Sequence, residues 1–139
     1  GGAGYVEESM LPRLYRQAPL NSIWEGSGNI QCLDVLRALA REPETMAALQ
    51  QELQAAADAD LRYSQALQRW EESPGFDEGQ ARAFCERTAL LLQAAVLLRA
   101  ESPMADAFIR SRLQGEHGLA LGTLPPGLEL GEMLARALP

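Results

Sequence analysis

The chain contains 139 residues, of which 47% are apolar, and this length and composition suit a single domain with a hydrophobic core. Every basic residue is an arginine, and nineteen acidic residues against twelve arginines give a formal net charge of −7. Because such a chain repels nucleic acid on average, DNA binding would need a local patch of arginines. No run of about 18 apolar residues predicts a membrane span, and no charged-then-apolar stretch that would indicate a secretory signal can be read. We therefore expect no membrane partner, a cytoplasmic location, and a fragment of a longer parent protein.

Few residues of this chain could bind a metal or complete a hydrolytic triad. His117 is the only histidine and lies in a glycine-rich segment, which excludes a His-based metal site or a Ser-His triad within this chain. Cys32 and Cys85 lie on apolar helical stretches without the spacing of metal ligands. We expect both cysteines to be buried free thiols, with a disulfide as the alternative.

The chain opens with two short elements. Gly1, Gly2 and Gly4 can bring backbone N–H groups against a phosphate, although such a cluster more often marks an ordinary turn. A short helical pattern follows at about residues 10–16. Pro19 should end this helix, and the chain should then continue in an extended conformation.

Residues 21–31, Asn-Ser-Ile-Trp-Glu-Gly-Ser-Gly-Asn-Ile-Gln, form the most distinctive stretch of the sequence. Ile23 and Trp24 can anchor it in a hydrophobic wall, and Gly26 and Gly28 tolerate positive φ and the close approach of a ligand. Glu25 would then be partly desolvated at a bend, as suits a general base beside a phosphate-bearing or enolate-like ligand. The alternative is an ordinary loop glutamate.

The helix after this bend should begin near Gly28 and end near Arg41. Its apolar residues recur at steps of three and four, and Ser27 or Asn29 would cap it. Uncommitted N–H groups and the positive end of the helix dipole would therefore lie beside the Glu25 bend.

The remainder of the chain is also predicted to be helical. No segment alternates with period two, so we predict an all-α fold, an antiparallel helical bundle with short connections and one longer loop. The stretch around residue 90 is so apolar that it should be central and packed on several sides. Helical patterns cover about residues 43–70, 77–100 and 128–138, with a breaker at Ser73-Pro74-Gly75, a helix start at Ser102-Pro103 and a loop at residues 115–127.

Four elements near the start occur in the order and spacing of one known family. They are a Gly-Gly-x-Gly-Tyr segment, an acidic pair, an Arg-x-x-Arg stretch and a Trp-Glu-Gly-Ser turn, here at residues 1–5, 7–8, 13–16 and 24–27. In these residues the chain resembles the C-terminal end of the acyl-CoA dehydrogenases. Residues 14–30 most resemble the alkylation-response branch, which carries an extra C-terminal helical domain implicated in binding double-stranded DNA. Residues 105–108, 111–113 and 122–125 resemble that extension.

The resemblance implies two domains, the end of the acyl-CoA dehydrogenase C-terminal domain at residues 1–41 and the extra helical domain at residues 42–139. It implies that the parent is a homo-oligomeric, FAD-dependent oxidoreductase. In that reaction Glu25 would remove the α-proton of an acyl-CoA thioester while the β-hydrogen leaves as hydride to the flavin. Trp24 and Gly26 would line the substrate side. The residues implied in FAD binding are Gly1, Gly2, Gly4, Ser27, Gly28 and Asn29, and we expect this chain alone to neither retain FAD nor turn over substrate.

The extension implies that arginines contact DNA phosphates. One alternative is that these arginines pair with the surrounding acids on a solvated face. Another is that the extension acts mainly in subunit assembly, which would leave a large apolar surface exposed on the isolated chain. The candidate arginines are Arg82, Arg87, Arg99, Arg110 and Arg112.

Overall fold

The structure, a computed structural model, describes residues 1–73 and 77–137, and within these ranges it is helical without a β-strand. The predicted all-α fold is therefore confirmed. The helices are α1 (Leu11–Gln17), α2 (Gly28–Arg41), α3 (Pro43–Gln54), α4 (Leu61–Glu71), α5 (Ala81–Arg99), α6 (Ala105–Phe108, continued by a wide turn over Ile109–Leu113) and α7 (Gly131–Ala137). No helix of the described ranges is both long enough and apolar enough to cross a membrane.

The junction between α2 and α3 consists of one residue, Glu42. Its N–H donates to the carbonyl of Ala38 at 3.0 Å and so closes α2, while its carbonyl accepts from the N–H of Thr45 at 2.9 Å and so opens α3. Pro43 fits between them because the first helical position needs no N–H donor. The predicted end of α2 and the predicted start of α3 at Pro43 are both confirmed.

The amphipathic pattern from residue 43 to Trp70 is two helices rather than one. Asp60 adopts an extended conformation, and its carboxylate accepts from the N–H groups of Arg62 at 2.7 Å and Tyr63 at 3.2 Å. This side chain satisfies donors that a new helix start would leave free, which stabilises a break where the apolar pattern continues. A short 3₁₀ turn, Ala57–Ala59, joins the two helices.

Helix α5 is the central element, since α2, α3, α4 and α6 all contact it. The prediction that it is packed on several sides is confirmed, but Leu92 and Val96 leave one side exposed. At its C-terminal end Glu101 has a φ of 47°, and the N–H of Ser102 donates to the carbonyl of Leu97 at 2.9 Å. This is a Schellman motif in which glutamate occupies the position that usually carries glycine.

The core lies between α3, α4, α5 and the turn after α6, around the fully buried Tyr63. The Tyr63 hydroxyl donates to the carbonyl of Leu53 at 2.8 Å, which satisfies one of the last carbonyls of α3. Burial, with a smaller contribution from the charge of Glu52, raises the pKa of Tyr63 to about 12. The other buried members of this cluster are Leu53, Ala56, Leu67, Trp70, Leu91, Ala94, Ala95 and Ile109.

Trp70 joins α4 to α5 through one aromatic contact and one hydrogen bond. Its ring stacks on Phe84, with ring centroids 5.8 Å apart and planes 27° apart. Its indole Nε1–H donates to the hydroxyl of Thr88 at 2.8 Å, and that hydroxyl donates to the carbonyl of Phe84 at 2.8 Å. The polar edge of this large side chain is therefore satisfied inside the bundle.

Several local predictions were wrong. Pro19 does not lead into an extended segment but lies in a 3₁₀ turn, Ala18–Ser22, because its fixed φ also suits the first turn of a helix. Cys32 and Cys85 are free thiols but only half-buried, since they lie at the edge of the contact between α2 and α5.

Two further predictions concern chain breaks and loops. The loop at residues 115–127 is confirmed. The last helix begins at Gly131, three residues later than predicted, and the carbonyl of Leu130 just before it accepts from the N–H of Leu134 at 2.9 Å. In the predicted breaker, residues 74 and 75 lie outside the described residues, as does the end of the last predicted helix at residue 138. The short helix at about residues 10–16 is confirmed as α1.

Candidate active site at the Glu25 turn

Two consecutive residues with positive φ make the bend before α2. Glu25 has a φ of 58° and Gly26 a φ of 110°. The side-chain amide of Gln31 donates to the carbonyl of Glu25 at 2.7 Å and so holds the bend against the first turn of α2. A Cβ on Gly26 would lie 3.2 Å from the same amide nitrogen, so glycine is needed here for space as well as for φ.

Glu25 is one of two residues other than glycine with positive φ in the described ranges, and such a conformation costs roughly 1–2 kcal/mol. Strain of this kind concentrates at functional sites, where the backbone is forced to present one side chain in one direction. The strain at Glu25 is therefore consistent with the predicted functional role, although Glu101 has the same strain at the end of α5.

Helix α2 begins at Gly28, and its first residues line an open cleft. Ser27 is in the extended conformation of a cap, as predicted, but its side chain makes no capping hydrogen bond. The cleft has a volume of about 530 Å³ and runs from Trp24 past Glu25 to the start of α2. Its lining residues are Asn21, Ser22, Trp24, Glu25, Gly26, Ser27, Gly28, Asn29, Gln31 and Arg82.

Arg82 is the one residue of this lining that sequence reasoning did not assign to it. It belongs to the first turn of α5, and its guanidinium nitrogens lie 3.7 and 3.9 Å from the position of a Cβ on Gly28. No ion pair involves Arg82 within the described parts of the chain. More than fifty residues separate it from the bend, so no spacing in the sequence could have indicated the contact.

The predicted hydrophobic wall around Glu25 is absent from this part of the protein. Ile23 and Trp24 are 62% and 55% exposed, and the Glu25 side chain is itself exposed. The acid nevertheless lies on the rim of a cleft rather than on a convex outer face. The partial desolvation expected for Glu25 would therefore have to come from a ligand or from protein surface that these residues do not provide.

The glycine segment lies elsewhere. Gly1 and Gly4 line a second cleft of about 790 Å³, together with Tyr5, Val6, Glu7, Tyr15 and Arg16, and this cleft shares no lining residue with the first. Gly2 is exposed in the same turn, and a Cβ on any of the three glycines would meet open space. The structure thus does not bring this segment to the Ser27–Asn29 turn within one chain.

The candidate DNA-binding arginines fall into two groups. Arg99 forms an ion pair with Glu52, and Arg110 one with Glu116 at 2.8 Å. Arg82, Arg87 and Arg112 are exposed and form no ion pair in the ranges that the structure describes. In those ranges there is also no group of three or more His, Cys, Asp or Glu side chains that could hold a metal ion.

The comparisons with known proteins agree with this geometry. Residues 1–40, which include the whole Glu25 bend, match the family model described as "Acyl-CoA dehydrogenase, C-terminal domain". With a curated relative that extends the similarity well beyond those residues, this match shows that the chain belongs to the acyl-CoA dehydrogenase family.

Two relatives define the similarity more closely. Over 125 residues, or 87% of this chain, it is 40% identical to the protein of Escherichia coli (strain K12) named "Putative acyl-CoA dehydrogenase AidB". It is 50% identical over 40 residues, 29% of this chain, to "Acyl-CoA dehydrogenase family member 11" of Caenorhabditis elegans. The chain spans 23% of the first relative and 6% of the second. The predicted resemblance over nearly the whole chain is confirmed by the first match.

Proposed function

We propose that this chain is part of an FAD-dependent acyl-CoA dehydrogenase-like protein of the alkylation-response type, in which Glu25 is the base. The observation that carries the proposal is the strained bend at the rim of the cleft. Glu25 keeps a costly positive φ. Its neighbours are the start of α2, where Ser27 makes no side-chain capping bond, and Arg82, which has no acidic partner among the described residues. These are the parts that a base beside an anionic cofactor requires.

The residues of the cleft fit the cofactor that members of this family generally use, which is FAD. FAD, when bound, accepts the hydride that leaves the substrate. Ser27, Gly28 and Asn29 offer uncommitted donors at the positive end of α2, and Arg82 adds a guanidinium, so the cleft suits an anionic group. Trp24 offers an exposed aromatic face to a planar ring.

The proposed part of this chain in the reaction is proton removal. The Glu25 carboxylate takes the proton from the carbon next to the thioester carbonyl. The backbone N–H of Glu25 stabilises the negative charge that develops on the carbonyl oxygen. Trp24 excludes water from the acyl chain, and Gly26, which has no side chain, leaves space for that chain to pass.

A hydrogen-exchange experiment on the full-length parent tests the role of Glu25 separately from the redox step. Exchange of the α-proton of a saturated acyl-CoA with deuterium from solvent is followed by mass spectrometry in the wild type and in Glu25→Gln. Loss of a positioned base should slow exchange by about 10² to 10⁴-fold. Glu101→Gln is the matched control, because Glu101 is the other glutamate with positive φ and lies far along the chain at the end of α5. Exchange in Glu25→Gln within twofold of the wild-type rate contradicts the proposal.

The isolated chain should not retain the cofactor. The cleft is open, and the glycine segment lines a different cleft. Gel filtration after incubation with FAD should therefore give a colourless protein peak. A yellow peak would show that these residues suffice for binding.

The alternative function is a helical DNA-binding module without turnover. It is supported by Arg82, Arg87 and Arg112, which form no ion pair in the described ranges, and is opposed by the net charge of −7. Titration of a labelled duplex at low and high salt tests it, since each phosphate contact makes the affinity fall with salt. Arg82→Gln, Arg87→Gln and Arg112→Gln should each lower the steepness of that dependence by about one contact. Affinity that is independent of salt rules this function out.

The partner expected in either case is a second copy of the protein. The first thirty residues expose an unusual number of large apolar side chains, as an assembly surface would. Sedimentation velocity at several concentrations should show self-association, and a monomer at every concentration contradicts this expectation. The exposed side chains are those of Tyr5, Val6, Met10, Leu11, Leu14, Tyr15, Leu20, Ile23, Trp24 and Ile30.

A further inference from the structure

The two cysteines of the chain lie against each other across the contact between α2 and α5. Cys32 is on the second turn of α2 and Cys85 on the second turn of α5. The Sγ of Cys85 lies 3.8 Å from the carbonyl oxygen of Cys32. Fifty-three positions separate them in the sequence, so packing of the two helices, and not local chain geometry, brings them together.

Both thiols are reduced and half-buried, so a small oxidant can reach them. Burial, and then the neighbouring Cys32 thiol, raise the pKa of Cys85 to about 11. Such a thiol is unreactive alone at neutral pH, because the thiolate is the nucleophile.

We propose that Cys32 and Cys85 form a redox-active pair that oxidised glutathione converts to an intramolecular disulfide. In the first step the Cys32 thiolate attacks one sulfur of the glutathione disulfide, a mixed disulfide forms, and one glutathione thiolate leaves. In the second step the Cys85 thiolate attacks the Cys32 sulfur, the protein disulfide forms, and a second glutathione thiolate leaves. The protein loses two electrons and two protons, and one oxidised glutathione becomes two reduced glutathiones.

The environment of Cys85 decides the rate of this reaction. Burial raises the pKa of Cys85 and keeps its thiol protonated at pH 7, so closure is slow there and accelerates as the pH rises. Oxidation is thus a response to sustained oxidising conditions rather than a fast sensor.

The disulfide would lie close to the Glu25 cleft. Cys32 lies four residues after Gly28, and Cys85 lies three residues after Arg82. Gly28 and Arg82 lie close together, and both line the cleft. The disulfide would therefore fix the extension to the bend that carries Glu25, one helical turn away from the cleft.

The experiment is incubation of the full-length protein with oxidised glutathione at pH 8.5, followed by peptide mapping without reduction. The expected product is a peptide pair linked through Cys32 and Cys85, with both thiols lost and no glutathione retained at either position. Cys85→Ser should stop the reaction at a stable glutathione adduct on Cys32, because the second nucleophile is missing. Cys32→Ser should leave Cys85 largely unmodified.

Three results overturn the proposal. The first is stable glutathione adducts on both cysteines of the wild type. The second is disulfide-linked dimers through either cysteine. The third is a wild type whose thiols stay unmodified under conditions in which the Cys85→Ser variant reacts fully. Repeating the incubation in denaturant provides the comparison, since separated thiols should then give two adducts rather than a closed disulfide. A pH series between about 7 and 9 should show a closure rate that rises with pH, and a flat profile contradicts the role of Cys85.

Discussion

The buried hydroxyl of Tyr63 allows a prediction whose sign changes with pH. In Tyr63→Phe the carbonyl of Leu53 loses a donor at 2.8 Å and keeps the longer hydrogen bond from the N–H of Ala56 at 3.3 Å. Loss of one buried hydrogen bond costs about 1–1.5 kcal/mol. Up to about pH 9 the variant should therefore be less stable than the wild type by that amount.

Above this range the wild type loses its advantage. The pKa of Tyr63 is 10.0 in an unperturbed tyrosine and about 12 in the folded chain. A raised folded pKa contributes stability that is fully present below the unfolded value and is lost as pH rises through the folded value. Between pH 10 and 12 the loss is about 1.4 kcal/mol for each pH unit, or nearly 3 kcal/mol in total. Phenylalanine does not ionise, so the two unfolding free energies should become equal near about pH 11 and then reverse.

Urea unfolding of both proteins from about pH 8 to 12, followed by circular dichroism, measures this difference. Groups common to both proteins, including the arginines and Cys85, cancel in the comparison. Tyr15→Phe is the matched control, because Tyr15 is 72% exposed and its removal should change stability by less than about 0.5 kcal/mol at any pH. A difference between wild type and Tyr63→Phe that stays constant with pH would refute the argument that burial holds Tyr63 in its neutral form.

Three further predictions follow from hydrogen bonds and backbone strain. Thr88→Val should cost about 1–3 kcal/mol in urea unfolding because it removes the acceptor of the Trp70 Nε1–H, whereas Thr88→Ser, which keeps the hydroxyl, should cost less. Asp60→Ala should cost about 1–2 kcal/mol at pH 7 through loss of the α4 cap. The hydrogen bond from Arg62 lowers the pKa of Asp60, so the stability that Asp60 contributes is present above about pH 4 and is lost as pH falls through the lowered value. The difference in unfolding free energy between wild type and Asp60→Ala should therefore shrink at low pH. Replacing either Glu25 or Glu101 by glycine should raise stability by up to about 1 kcal/mol, since each change relieves a positive φ. Only Glu25→Gly should abolish α-proton exchange in the parent. A destabilised Glu101→Gly would contradict the strain argument.

The helices were predictable from sequence where local signals agreed with packing. The three- and four-residue spacing of apolar side chains located α2, and Pro43 fixed the start of α3 to the residue. The break at Asp60 was missed because the apolar pattern continues across it, and a single capping aspartate among many acidic residues is a weak signal. The 3₁₀ turn at Pro19 was missed because the residue before a proline usually favours an extended conformation.

The candidate site was predictable in part. Glu25 and its glycine turn could be identified because the whole motif lies within one short stretch of sequence. Arg82 and the Cys32–Cys85 contact could not be identified, because each depends on how α2 packs against α5, and no local pattern encodes that register. The exposure of Trp24 could not be predicted either. An aromatic residue beside an aliphatic one predicts burial, but the sequence does not say whether this chain or another protein surface buries it.

The one-residue junction at Glu42 has a mechanical consequence. Its N–H and its carbonyl are both committed, one to each helix, so the junction cannot swivel without breaking a hydrogen bond. A partner that tilts α3 must therefore tilt α2 with it. Helix α2 is in turn linked to the bend, because Gln31 donates to the backbone carbonyl of Glu25. A ligand that displaced α3 would therefore also affect the backbone at Glu25, and any effect of binding at α3 on the affinity beside Glu25 would be matched by an equal effect in the opposite direction.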